Sequence, residues 1–235
     1  MALIVTSKCA DLLAACLDSL MTFAPDVEPR VVVNETDYAL THLLTTRGVR
    51  FLYNPVVTGT ARDHAEGIEH ARRKCFVQDA DTVILMDNDV VVTSPAWRWM
   101  ARSIFAAWGG RHAYDPTRIH AHMFAMARSL FDAVETFHAR DGMDTAGLAS
   151  RHAHTAGPVY IFGREADPRG WFAFPDVAGA FWWHLGSGTH AELSPRRRAW
   201  THLKAACGAD LARKALRRDA RKRAFLAAAH RLVTA

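Results

Sequence analysis

Short apolar runs alternate with stretches of helical periodicity over the N-terminal part of the chain, and this alternation predicts strands and helices in turn. Leu3-Ile-Val-Thr6 reads as a strand, and Ala10 to Leu20 repeats its apolar residues at helical spacing. Arg30-Val-Val-Val-Asn34 is a second strand, Tyr38 to Thr46 a second helix, and Val49 to Tyr53 a third strand closed by Asn54-Pro55. A small-residue loop, Thr58-Gly-Thr-Ala-Arg62, leads into a helix over Asp63 to Val77, with Ala65, Ile68, Ala71 and Cys75 on one face. The run from Asp81 to Val92 is the next strand. The expected fold is an α/β domain built on an open, mostly parallel sheet with helices on both faces, its ligands at the carboxyl ends of the strands.

Beyond Ser94-Pro95 the pattern loosens. A Trp-rich helix is expected to reach about Trp108 and to stop at Gly109-Gly110. His120 to Ala127 reads as a strand, Ser129 to His138 and Asp144 to His154 as helices, and Val159 to Phe162 and Ala178 to Trp183 as strands. Past Ser194-Pro195 come one or two basic helices with a break at Gly208. The expected organisation is a domain over 1–194, in halves 1–93 and 94–194, followed by a basic helical extension over 195–235.

Composition narrows the picture. The chain has 235 residues, half of them hydrophobic, enough for a sizeable core. It contains no apolar run of about 18 residues, so no membrane span is expected. The N-terminus lacks a basic region before its first apolar run and reads as a strand, which together with four cysteines lacking metal or disulfide spacing predicts a cytoplasmic protein with buried, reduced thiols. Charge is uneven: from Pro195 onward there are 12 Lys and Arg against 2 Asp, leaving 17 basic and 22 acidic residues in the body. A tail of this kind suits a solvated helix, an anionic membrane or a nucleic acid.

The candidate chemistry lies at the end of the fourth strand. In a strand alternate side chains share a face, so Asp87 and Asp89 of Asp87-Asn88-Asp89 point the same way and can converge on one hard cation. Paired carboxylates, with phosphate oxygens completing the shell, suit Mg²⁺ or Mn²⁺ better than zinc. His120-Ala-His122 and His152-Ala-His154 offer imidazole pairs but no further zinc ligands, and are expected to be partly exposed polar residues. Most of the tryptophans are expected in the core, although Trp171, Trp182 and Trp183 could stack on a sugar or base.

Four segments, in order over roughly the first 190 residues, resemble the family-2-like glycosyltransferases of GT-A fold. Ile4-Val-Thr6 with Asp11 to Leu20 is similar to that family's first strand and helix; Asn54 to Arg62 is similar to its Asn-x-Gly-x-x-x-Ala-Arg loop, with Pro55 and Val56 as departures. Asp87-Asn88-Asp89 resembles its metal triplet, and His184-Leu-Gly-Ser-Gly-Thr189 its His-x-Gly-x-x-Ser/Thr segment. The resemblance implies a nucleotide-sugar half over 1–93 and an acceptor half over 94–194. It implies nucleotide contacts from Thr6, Asn34 or Glu35, Arg62, Asp87 and Asn88; a Mn²⁺ or Mg²⁺ ion held by Asp87, Asp89 and His184; and a UDP-sugar as the expected donor.

The resemblance also supplies a base. Asp144-Thr-Ala-Gly-Leu-Ala-Ser-Arg151 is similar to the family's Glu-Asp-Thr-x-Leu-x-x-Arg helix, with Met143 in place of an acid and Asp141 close by as the other candidate. A carboxylate there would deprotonate the attacking hydroxyl in a single displacement, with inversion at the anomeric carbon. The expected activity is transfer of a sugar from a nucleotide diphosphate to a hydroxyl. The basic tail favours a nucleic-acid acceptor, as in phage-type enzymes that glycosylate hydroxymethylated pyrimidines in DNA; a lipid or polysaccharide at an anionic membrane is the alternative. A non-catalytic nucleic-acid-binding protein on the same scaffold is the competing class.

Overall fold

The computed structural model describes residues 1–7, 9–35, 37–58, 62–95, 105–112, 114–139, 145–166, 171–176, 179–185, 202, 204, 206 and 209–235. In chain order its elements are β1 (Ala2–Thr6), α1 (Ala10–Phe23), β2 (Pro29–Val33), α2 (Tyr38–Thr46), β3 (Arg50–Tyr53), α3 (Arg62–Arg73), β4 (Thr82–Asp87), β5 (Val90–Val92), β6 (Ala107–Arg111) and β7 (Ile119–Ala127). There follow α4 (Arg128–Ala133), α5 (Gly147–Ala156), β8 (Val159–Phe162), β9 (Glu165–Ala166), β10 (Phe172–Asp176), β11 (Gly179–His184) and α6 (Asp210–Thr234). No described helix is long and apolar enough to cross a membrane.

Seven strands form the main sheet in the order β3-β2-β1-β4-β7-β6-β8. Only β7 runs against the others. The period-2 alternation read in the sequence is what makes this a three-layer fold. Ile4, Val31, Val33, Ile84 and Met86 pack with α1 and α2 on one face, while Leu3, Val5, Val32, Val83 and Leu85 pack with Ile68 and Ala71 of α3 and Ala149 and Ala153 of α5 on the other. Helix α2 is set by Asp37, whose carboxylate accepts the Ala39 and Leu40 backbone N–H groups, as an N-cap should. Because α1 and α3 cover opposite faces, the chain's direction of travel reverses between β1 and β4, and the crevice at their carboxyl ends is the switch point.

A second, antiparallel sheet, β5-β11-β10-β9, stands beside that crevice. Its β5 begins one residue beyond Asp89, and Ser19 of α1 accepts the Val92 N–H at 3.0 Å, anchoring the small sheet to the first helix. Helix α6 returns across the body: Phe225, Ala228 and Ala229 pack with Leu12, Val91, Trp171 and Leu185. Trp171, Trp182 and Trp108 are all buried, Trp182 stacking on Phe174 at 4.9 Å, so these rings are core.

Four local expectations differ from the structure. The stretch from Asp81 to Val92 is not one strand: it breaks at the Asn88-Asp89 turn into β4 and β5, which join different sheets, so Asp87 and Asp89 are brought together by the turn and not by strand alternation. Ala107–Arg111 is a strand, not the end of a helix, and its glycines permit close approach: a Cβ on Gly109 would strike the Met123 carbonyl oxygen and Ile119 of β7. Residues 96–104 lie outside the described residues. Helix α3 ends at Arg73, and Cys75 is exposed with φ at +52° beyond it, so it takes no part in the buried face. Helix α4 stops at Ala133, shorter than the stretch to His138, because Val134 turns to extended backbone.

Candidate metal and nucleotide site

Asp87 ends β4 and Asp89 lies in the two-residue turn to β5. The small sheet supplies the third group: β11 pairs with β5 so that His184 stands opposite Val90, and the Leu185 N–H donates to the Asp89 carbonyl at 3.1 Å. His184 Nε2 is 3.3 Å from Asp89 Oδ1 and 3.8 Å from Asp87 Oδ2. One ligand atom from each of Asp87, Asp89 and His184 falls within 4.8 Å of the others. The sequence reading therefore named three groups that the fold brings together from positions almost a hundred residues apart.

Burial works against charge on both partners, but attraction prevails. Desolvation opposes ionisation of Asp89, and the His184 charge and hydrogen bond outweigh it, holding the carboxyl below its usual range. Desolvation likewise opposes protonation of His184, and Asp89 followed by Asp87 outweighs it, raising the imidazole. Asp89 Oδ2 is buried and takes no hydrogen bond from the described residues. A desolvated carboxylate oxygen without a donor is costly unless a cation takes it. Hard carboxylate oxygens and one imidazole are a donor set that fits Mn²⁺ or Mg²⁺.

Polar side chains line the same edge at the ends of β1 to β4. Asn88 Nδ2 donates to Thr6 Oγ1 at 2.8 Å, and Asn54 Nδ2 donates to Asn34 Oδ1 at 2.9 Å. Glu35 follows Asn34 and is half-buried, while Arg62 is exposed at the start of α3. Asp63 in the first turn of α3 accepts the Thr58 N–H at 2.8 Å and its hydroxyl at 2.7 Å. Helix α3 can approach because residue 67 is glycine: a Cβ there would lie 2.7 Å from Val5 Cγ1. Thr6, Asn34, Glu35, Arg62, Asp87, Asn88, Asp89 and His184 thus share one edge of the fold. Asp141 and Asp144 lie outside the described residues.

Sequence reasoning missed two histidines. His64, two residues after Arg62 on α3, places Nδ1 3.4 Å from Asp87 Oδ1. His122 was expected to be partly exposed, yet it is buried on β7, and burial, then the His184 and His120 charges, push its imidazole well below the ordinary value. The alternation His120-x-His122 on a strand was the available signal. His152 and His154, by contrast, sit on α5, where His154 Nε2 meets the Thr117 carbonyl at 2.9 Å.

No family model and no curated protein matches the chain. In structure it is similar to a mannosyltransferase, PcManGT, from Pyrobaculum calidifontis, solved in complex with GDP-Man and Mn²⁺, with a TM-score of 0.53 and 15% identity over 99% of this chain and 72% of that one. A glucosyl-3-phosphoglycerate synthase from Mycobacterium tuberculosis, solved with Mn²⁺, UDP-glucose and phosphoglyceric acid, aligns with a TM-score of 0.45 and 11% identity over 69% of each chain. The first likeness establishes the architecture as a GT-A, Rossmann-like fold. Fold alone does not assign chemistry.

Proposed function

We propose that this chain is a metal-dependent glycosyltransferase that moves a sugar from a nucleotide diphosphate to a hydroxyl acceptor. The observation that carries the reading is the Asp87, Asp89 and His184 cluster at the switch point, with Asp89 Oδ2 buried and lacking a hydrogen-bond donor among the described residues. The mannosyltransferase of similar fold was solved with a nucleotide sugar and Mn²⁺, which agrees with it.

In this reading Asp87, Asp89 and neutral His184 hold Mn²⁺ or Mg²⁺, which supplies charge stabilisation to the departing diphosphate. Thr6, Asn34 or Glu35, Asn88 and Arg62 bind the nucleotide, with a UDP-sugar the expected donor. Asp144, or its neighbour Asp141, takes the proton of the acceptor hydroxyl; that oxygen bonds to the anomeric carbon as the bond to phosphate breaks on the opposite side, and the configuration inverts. A cavity of about 260 Å³ lined by Asp115, Thr117, Arg118, Gly147, Ser150, Arg151 and His154 opens along α5, and it is the space we assign to the acceptor.

A nucleic-acid acceptor is the finer proposal, and the exposed cations Lys214, Arg217 and Arg218, at helical spacing on α6, support it. The activity is tested by thermal stabilisation with a panel of nucleotide sugars, with and without Mn²⁺, together with donor hydrolysis in the absence of acceptor. Stabilisation that needs both ligands and disappears on adding chelator or in Asp89→Ala is expected. A folded wild-type chain that neither binds nor hydrolyses any donor would return it to the class of binding proteins on a transferase scaffold.

A further inference from the structure

The imidazoles of β7 have no role in the chemistry above, yet one of them touches it. The His122 ring lies flush on the His184 ring, with centroids 4.3 Å apart and planes 3° from parallel. His122 belongs to the main sheet and His184 to the small one. The stack therefore spans the junction of the two sheets at the point where the metal ligands converge.

The His122 ring is itself fixed from several sides. Its Nδ1 is 2.8 Å from His120 Nδ1, and Phe174 packs on it at 4.6 Å. Beneath it β6 passes so closely that a Cβ on Gly110 would fall 2.5 Å from His122 Nε2. His120 Nδ1 also accepts the His122 backbone N–H at 3.1 Å, so the strand itself helps hold the two rings together. His122 Nε2 is buried without a hydrogen-bond partner among the described residues and lies against Gly110 of β6. This ring is not placed to ligate. What it offers the site is a rigid flat face.

We infer that His122 is a positioning residue for the metal site, its ring face setting the angle at which His184 Nε2 meets Asp89 and Asp87. The inference rests on the metal reading proposed above. The terminal torsion of an imidazole is broad, so its orientation is set by what packs against its faces. Stacked on an immobile neighbour it cannot turn without breaking the stack. Groups behind a ligand that fix its orientation typically change metal affinity by about 10–100-fold when removed.

The test compares two substitutions that fill the same buried space. His122→Phe keeps a flat face against His184, and His122→Leu removes it; both lose the polar bond to His120. Mn²⁺ is titrated into the full-length chain by calorimetry, and the bound ion is followed by electron paramagnetic resonance. The expected result is that His122→Leu weakens Mn²⁺ by about tenfold or more and alters the bound-ion spectrum, while His122→Phe stays within about threefold of wild type. In donor hydrolysis the Leu variant should need more Mn²⁺ for half its maximal rate yet approach the wild-type maximum. A folded His122→Leu chain that binds Mn²⁺ like wild type overturns the inference, as does a Phe variant as weak as Leu. A wild-type chain that binds no Mn²⁺ overturns the metal reading instead.

Discussion

Lys222 on the C-terminal helix places its ammonium 2.7 Å from Oδ2 and 3.0 Å from Oδ1 of Asp11, in the first turn of the first helix. Lys222 is buried, and Asp11 keeps about a third of its side chain in water, at 35%. The pair locks the two ends of the chain together beside the apolar contacts of Phe225. The basic tail is therefore partly structural.

Lys222→Met should lower stability, because the apolar stem still fits while Asp11 loses its partner. Breaking a buried pair costs about 3–5 kcal/mol, and the exposure of Asp11 reduces this to roughly 1–2 kcal/mol. Thermal unfolding should move down by about 2–8 °C for a chain of this size. An unchanged midpoint would show that α6 is held by its apolar face alone.

The exposed face of α6 carries a different expectation. Replacing Lys214, Arg217 and Arg218 with Gln should leave stability unchanged, since these side chains are exposed. If α6 grips a phosphate backbone, duplex DNA binding should weaken and its salt slope should fall by roughly 1 for each phosphate no longer neutralised. Binding to anionic vesicles but not DNA would favour the membrane alternative, and binding to neither would leave α6 a solvated cap.

For the base, Asp144→Asn should keep donor affinity near wild type and lower turnover by about 10² or more, with Asp141→Asn doing much less. The reverse ranking moves the role to Asp141. A product that retains the donor's anomeric configuration would remove the single displacement.

Gly67→Ala should destabilise the chain despite alanine's better helix propensity. The added methyl would sit 2.7 Å from Val5 Cγ1 and 3.2 Å from Asn34 Oδ1, and Val5 is a buried strand residue whose β-branched side chain is stiff at χ1. Overpacking of this kind costs about 1–3 kcal/mol. Because α3 carries Arg62 and His64, donor affinity should fall with it. A variant of wild-type stability would mean that α3 shifts freely over the sheet.

Acid sensitivity should trace to Arg30. This buried guanidinium on β2 donates to Glu28 at 2.7 Å and to Asp79 at 2.7 Å, and hydrogen bonds to it hold both carboxyls below their usual range. A carboxyl whose folded pKa is depressed adds stability that is present above its unfolded value, about 4, and is lost as pH falls toward the folded value. Denaturant unfolding of Asp79→Asn should show lower stability at pH 7 and a shallower loss below about pH 4 than wild type. Parallel curves would remove Asp79 from the cause.

Much of the site was legible in the chain itself because strands and helices advertise their faces through period. The runs at Leu3, Arg30 and Thr82 bury alternate residues on two layers, and that at Val49 partly buries Phe51 and Leu52 on opposite faces, so their carboxyl ends, and with them Thr6, Asn34 and Asp87, had to meet along one edge. His184 was reached only through resemblance to a family, since a single histidine after an apolar strand has no period to betray it.

What the sequence alone determined is the local alternation that fixes the doubly covered sheet and the strand-end carboxylates. What only the tertiary structure decided is every pairing between distant segments: β5 with β11, which carries His184 to Asp89; His122 against His184; and Lys222 with Asp11. Local periodicity records which face a residue presents to the core, because burial is decided within a few residues along an element. It holds no record of which other element will stand opposite, because that follows from the packing of the whole chain.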